Sequence, residues 1–280
     1  MRADLHVHSA VSDGTDSPAE LVAAAAAAGL DAIALTDHDT FGGWDEALAA
    51  GERCGVAVIP GIELSAHAEG PHASVHVLGY APDPANPALL AELELIRQGR
   101  EARIPRLVAA LNGLGLAVTL EEVQAQAGDA VVGRPHVADA LVARGYAAHR
   151  DEAFARWLRD GGPAQVKRYT PDVARAVDLL HGAGAVVVLA HPWGRGGAAW
   201  LPEPVLEALV RDHGLDGVEA DHLNHDLRQR AALHALADRL GILATGSSDY
   251  HGLGKRNHPL GAFTTPGPVY RKLRKMIYLT

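Results

Sequence analysis

Histidine and carboxylate side chains recur along this chain at spacings that suit divalent-metal chemistry. The clearest case is Asp4-Leu5-His6-Val7-His8-Ser9, in which Leu5 and Val7 alternate with His6 and His8. If the segment is a strand, its period of two puts both imidazoles on one face and both aliphatics on the other. Two adjacent imidazoles are half of a metal site, although such a pair alone is equally the mark of two structural histidines. The other half is supplied by Asp13, His38, Glu63, His76, His191, Asp249 and His251, all in or just after segments that read as strands. Nine donors exceed what one tetrahedral ion takes up, so the pattern predicts a cluster of two or three ions. A single cysteine, Cys54, excludes an internal disulfide and any cysteine-built centre, which leaves nitrogen and oxygen as ligands.

The elements that must position these groups follow a β-loop-α rhythm. A strand over 3–8 leads to a turn-rich stretch and a helix opening on Ser17 and Pro18, an N-cap followed by an N1 proline. The run 31–36 ends in Asp37-His38-Asp39, a helix covers 43–54, and the strand 56–59 leads into Pro60-Gly61-Ile62-Glu63. The alternating strand 74–79 follows after a connection too short for a parallel crossover, which predicts a hairpin-like excursion around His72. From 89 to 167 the apolar spacing is helical throughout, and 100–168 is expected to form a small helical insertion over one end of the main domain. The rhythm resumes after Pro171, with strands 185–190, 217–220 and 242–245 ending in His191, Asp221-His222 and Ser248-Asp249. The expected fold class is therefore α/β, with a barrel formed from 1–99 and 169–280 and seven strands whose carboxyl ends carry the chemistry.

Length allows two domains or one large barrel, and 48% apolar with 21% charged residues is ordinary globular usage. Sixteen histidines against three Phe and six Tyr is the compositional oddity. A formal charge of −9 excludes a general electrostatic attraction to nucleic acid, so a nucleic-acid partner would have to be recognised locally. No secretory leader or membrane-spanning run is read, and the cysteine usage fits a reducing cytoplasm, the expected location. Neither a membrane nor an obligate protein partner is called for. Cys54 reads as a small buried apolar residue rather than a nucleophile.

His6-Val7-His8-Ser9, Ser12-Asp13-Gly14, Thr36-Asp37-His38-Asp39, Gly61-Ile62-Glu63, His76, Ala190-His191-Pro192 and Ser248-Asp249-Tyr250-His251, in that order, resemble the motifs of the PHP (polymerase and histidinol phosphatase) superfamily. The resemblance implies a distorted seven-stranded β/α barrel and a trinuclear metal site. It implies one ion on His6, His8, Glu63 and Asp249, a second on the bridging Glu63 with His76 and His191, and a third on Asp13, His38 and His251. Several relatives have histidine where this chain has Asp13, a departure that bears on the third ion. The mixed donors suit Mn²⁺, Fe²⁺ or Zn²⁺, and the carboxylate share favours Mn²⁺.

Within the superfamily, the 13–15 loop, the 36–40 block and Gly133-Arg134-Pro135-His136 resemble the branch acting on nucleoside 3′,5′-bisphosphates, some of whose members trim 5′-phosphorylated RNA. The implied activity is a phosphatase that uses a hydroxide between ions and no side-chain nucleophile. Exoribonuclease action, histidinol phosphate hydrolysis and a non-catalytic metal-bound module are the alternatives; an amidohydrolase is disfavoured because no strand end carries a lysine. A second phosphate calls for bidentate donors, for which Arg134 with His136, and Arg195 in its glycine-rich loop, are the candidates. Asn224 and His225, with His222, follow a strand end within reach of phosphate or sugar, and His225 could equally cap the next helix. Trp193 could stack on a base or pack its loop. Asp4, Asp37 and Asp221 are either acceptors that orient imidazoles or strand-end caps. Lys255 and Arg256 read as a solvated loop near the rim, and Arg271, Lys272, Arg274 and Lys275 as a basic surface patch.

Overall fold

The structure, a computed structural model, describes residues 1–70, 74–128, 132–159, 161–255 and 257–278; the side chain of Arg195 also lies outside what is described, as do His72 and Arg256. In chain order the elements are β1 (Ala3–Val7), α1 (Pro18–Ala27), β2 (Ala32–Leu35), α2 (Trp44–Cys54), β3 (Ala57–His67), β4 (Ser74–Tyr80), α3 (Pro87–Gly113), α4 (Leu120–Ala127), α5 (Arg134–Ala143), α6 (Arg150–Ala153), α7 (Val173–Gly182), β5 (Val186–Leu189), α8 (Glu203–His213), β6 (Gly217–Asp221), α9 (Leu227–Leu240), β7 (Leu243–Gly246) and α10 (Gly267–Tyr278). The seven strands form one sheet in sequence order. Bridges from Val7 to Tyr250 and from Ala3 to Thr265 bring its two edges together, so the sheet is a nearly closed barrel. No helix among the described residues is long and apolar enough to cross a membrane.

Two departures from simple alternation set the geometry of the rim. The register between β1 and β2 shifts between Asp4 and Val7. Because of that bulge Leu5 and Val7 do not share a face: Leu5 packs in the barrel lumen with Ala32, Leu78 and Val188, while Val7 packs outside against Leu21 and Val22 of α1. The second departure is β3, which does not stop at Ile59. It pairs in parallel with β2 as far as Leu35 with Pro60, then continues antiparallel to β4 from Gly61 with Tyr80. Pro60, which has no N–H to give, stands at this change of partner, and Glu63 consequently lies in mid-strand rather than at a strand end.

β4 is antiparallel to both neighbours, and the remaining strand pairs are parallel. The helical stretch also differs in one respect from its expected outline. α3 is a single 27-residue helix running through position 100 with Pro105 inside it. Its first half contributes Leu89, Leu93 and Ile96 to the barrel core, and its second half contributes Ile104, Leu107 and Leu111 to a separate core shared with α4 and α5. One helix thus joins the barrel to a cap with its own apolar centre. Cys54, at the last residue of α2, is exposed, because it lies on the solvent side of that helix end. The basic residues of α10 form its outer face, while Tyr270 and Leu273 bury its inner face against the barrel.

Leu64 neighbours Glu63 on β3 but points into the fully buried layer beneath the helices. Leu64→Ala is expected to cost about 2–5 kcal/mol through lost burial and the cavity left behind. Urea unfolding checks this, and a loss below about 1 kcal/mol would contradict the packing described.

Candidate metal centre

The nine donors converge around Glu63, whose side chain is 1% exposed. Its Oε2 lies 3.2 Å from His6 Nε2, 3.1 Å from His8 Nε2 and 3.1 Å from His38 Nδ1. Its Oε1 lies 2.7 Å from His76 Nδ1 and 3.4 Å from His191 Nε2. Asp249 Oδ1 faces the same place, 3.6 Å from His6 and from His8 and 3.5 Å from His251. On the far side Asp13 lies 3.2 Å from His251, 3.8 Å from His8 and 3.8 Å from His38. His8 and His38 each present one nitrogen to Glu63 and the other to Asp13, so the donor groups overlap.

These residues fit divalent ions on physical grounds. His6 Nε2, both nitrogens of His8, His38 Nδ1, His76 Nδ1 and Glu63 Oε1 are buried without a hydrogen bond. Buried polar atoms are otherwise almost always paired, so six orphans aimed at common points are what a set of ligands looks like. Burial pushes His8 and His38 down to about 4 and His191 down to about 3, which keeps these rings in the neutral form that binds metal. Burial alone would raise Glu63, Asp13 and Asp249, but neighbouring imidazoles, and Lys255 at Asp249, outweigh it and hold all three well below the carboxylate range. For His6 the balance runs the other way: burial disfavours its charge, yet Glu63, Glu219 and Asp249 raise it well above its ordinary value. The cluster is anionic and calls for cations.

The backbone is bent to deliver these groups. His191 and Asp249 have φ of 28° and 53°, in the left-handed region, which costs of order 1–3 kcal/mol apiece. Buried carboxylates that face no common ligand point hold such turns. Asp4 accepts from the N–H of Ser248 at 2.9 Å and of Gly261 at 2.8 Å. Asp37 accepts from Ser9 N at 2.8 Å, Ser9 Oγ at 2.7 Å and Ser12 Oγ at 2.6 Å, fixing the loop that presents Asp13. Both therefore hold peptide groups rather than imidazoles, and Asp221 bonds His234 of α9. In the same loop a Cβ on Gly14 would lie 2.5 Å from the carbonyl oxygen of His8, so only glycine permits the approach.

One residue with this kind of role escaped the sequence reading. Glu219, fully buried on β6, lies 3.2 Å from His6 Nδ1, accepts from the N–H of His191 at 2.9 Å and is hydrogen-bonded by Ser247 Oγ. The available signal was an acid inside the apolar strand Gly217–Asp221. His258 was also missed: with His222 it flanks Asp249, whose Oδ2 lies 3.3 Å from His222 Nε2 and pairs with Lys255. Lys255 is thus part of the rim and not a solvated loop residue.

A cavity of about 510 Å³ opens over the cluster. Arg134 lines it, together with Arg100, Arg103, Arg150, Arg159 and Arg168. His136, Asn224 and His225 are not among its described lining. His136 is buried and accepts from Gly133 N, His225 joins Trp193 N to Ala220 O, and Asn224 packs against Gly194. The two imidazoles are thus occupied in holding backbone, whereas Asn224 Nδ2 is buried without a hydrogen bond. Trp193 packs its loop, buried with its indole N–H on Leu201 O. Arg195 lies on the 3₁₀ turn Gly194–Ala199 next to the cavity wall, its side chain outside what is described.

A barrel with nitrogen and oxygen donors gathered at one rim, under a roof of guanidinium groups, defines a metal-dependent phosphoesterase. The PHP domain family matches residues 4–128. Over 276 residues the chain is 35% identical to the 3′,5′-nucleoside bisphosphate phosphatase of Chromobacterium violaceum, covering 96% of this chain and 94% of that one. It is 34% identical to a 5′-3′ exoribonuclease of Haemophilus influenzae, with 89% of each covered. A Bifidobacterium adolescentis structure described as a metal-dependent phosphoesterase superposes with a TM-score of 0.92 at 35% identity, over 98% of this chain and 96% of that one. The chain belongs to the PHP family.

Removing the ions should leave this anionic cluster uncompensated. Chelator-treated protein is expected to melt several degrees below metal-loaded protein, by the linkage of binding to folding; identical melting curves by scanning calorimetry would contradict the site. Glu219→Gln should weaken metal binding about 10- to 100-fold by loosening His6 and His191, measured by competition with a chromogenic chelator.

Proposed function

We propose that the chain removes the 3′-phosphate of nucleoside 3′,5′-bisphosphates, giving a nucleoside 5′-monophosphate and phosphate. The observation that carries this reading is the division of the cavity into an anionic floor of ligands and a cationic roof of arginines. A substrate with one phosphate over the floor needs a second anionic group to engage that roof, and planar guanidinium groups suit a terminal phosphate. The volume of about 510 Å³ falls within the usual range for small-molecule sites. Phe154, Trp200 and Leu201 give the lining an apolar part against which a base can rest.

Three ions, with Mn²⁺ preferred, are the occupants we assign to His6, His8, Asp13, His38, Glu63, His76, His191, Asp249 and His251. Divalent ions there lower the pKa of a water and offset phosphoryl charge. The chain's own contribution is orientation. Glu63 fixes the imidazoles, Asp249 is held between His222 and Lys255, and Arg134 aligns the substrate so that water displaces the ribose 3′-oxygen in line. Nothing in this scheme uses a serine or cysteine nucleophile.

The relative named as a 5′-3′ exoribonuclease supports a second reading, because a short RNA with a 5′-phosphate offers the same pairing of a scissile ester with a nearby terminal phosphate. A screen with Mn²⁺ across 3′,5′-bisphosphates, histidinol phosphate and 5′-phosphorylated dinucleotides separates these. The bisphosphate is expected to give the highest kcat/KM, and a dinucleotide that outpaces it would overturn the proposal. Arg134→Gln should raise KM for the bisphosphate about tenfold while changing a monophosphate ester little, since only the former presents a second phosphate.

A further inference from the structure

The loops that carry the outer donor group, His8, Asp13, His38 and His251, are clasped by arginines of the cap. Arg150, on α6, donates from Nη1 to the carbonyl oxygen of Asp13 at 3.0 Å. The same guanidinium is fixed from behind by Asp139, which accepts from Nε at 2.9 Å and Nη2 at 2.6 Å. It also lies against the turn after His251, where a Cβ on Gly254 would collide with Arg150 Nη1. That turn is tied in its own right to the Asp13 loop, because Leu253 N donates to Thr15 Oγ1 at 2.9 Å. The third ligand loop is held by Arg100, which sits on α3 between its barrel-packing and cap-packing halves and pairs with Asp39. Asp39 directly follows His38 and accepts from Ser65 N at 2.7 Å and Ser65 Oγ at 2.8 Å.

We propose that Arg150 and Arg100 are positioning residues that make the cap and the outer donor group one unit: docking of the cap sets the spacing of Asp13, His38 and His251, and an ion bound there holds the cap down. Three of the five N–H donors of Arg150 are spent on Asp139 and the Asp13 carbonyl, which suits a clasp better than a substrate contact. The contacts of Arg150 and Arg100 fall on the loops that carry Asp13, His38 and His251, so the effect is expected in that part of the cluster. Coupling of this kind is reciprocal, since whatever the cap adds to ion affinity the ion adds to cap docking. The inference rests on the metal reading of the site.

Stripped full-length protein titrated with Mn²⁺ by calorimetry, with bound metal counted by mass spectrometry, tests the first direction. Arg150→Gln is expected to weaken the most weakly held ion about tenfold or more and leave the others as in the unaltered chain. Unchanged stoichiometry and affinities in folded Arg150→Gln would overturn the proposal. Hydrogen exchange over 134–158 in the unaltered chain tests the reverse direction and needs no variant. Amides there are expected to exchange about tenfold more slowly once Mn²⁺ fills the outer group, and equal rates would overturn the proposal even where Arg150→Gln fails to fold. A chain that takes up Mn²⁺ but is flat in both measurements loses this inference alone. One that takes up no divalent ion loses the metal reading with it.

Discussion

A carboxylate buried at the centre of the barrel rim governs this molecule. Glu63 is enclosed by five imidazoles, and three of its contacts to them are within 3.1–3.2 Å of a single oxygen. An isolated buried carboxylate is among the costliest groups a protein can hold, and neutral imidazoles compensate it only weakly. His8, His38 and His191 are kept neutral by their own burial. His6, held above its ordinary value by Glu63, Glu219 and Asp249, supplies part of the compensation; the remainder falls to bound cations, which the donors on β1, β4 and the ends of β2 and β5 face. Folding and metal binding share one electrostatic problem.

Solving it required departures from a regular barrel. β3 is extended to 11 residues so that Glu63 can sit in mid-strand, and β4 runs against its neighbours so that His76 reaches the same point. The bulge in β1 sends Leu5 to the lumen while His6 and His8 both reach Glu63. His191 and Asp249 adopt left-handed backbone that non-glycine residues avoid. Such strain persists only where the surroundings over-determine it. Here Glu219 takes the N–H of His191, and Asp4 takes that of Ser248 next to Asp249. Ligands are shaped by acids that themselves face the backbone.

This division explains what could be read from the chain beforehand. The seven strands, the hairpin excursion and the meeting of the nine donors were legible because strand-end histidines and acids stand out against apolar runs. The narrow alternation of Leu5 and Val7 misled, because a bulge is a property of two paired strands and leaves no mark in either one alone. Glu219 looked like any strand acid, since its meaning depends on His6, more than 200 positions away. His136 and His225 carried the right chemistry at suggestive places, yet each is occupied by a backbone partner that spacing does not reveal. The continuous α3 was hidden by Pro105 and by a change of packing partner midway along it. Arg150 was invisible as a clasp because its targets lie in loops far from it in sequence.

The distribution of charge bears on what the site can take. The chain carries a formal net charge of −9, while six arginines are concentrated in the lining of one cavity. At physiological ionic strength a charge is screened beyond about 8 Å, so a small polyanion inside the cavity senses those arginines and little of the acidic exterior. A long nucleic acid would lay most of its phosphates outside the cavity, on a surface with no general excess of cations. Recognition is therefore local, which favours substrates whose anionic groups all fit within a few ångströms of the rim. The same locality gives weight to the cap, whose arginines line the cavity together with Glu63.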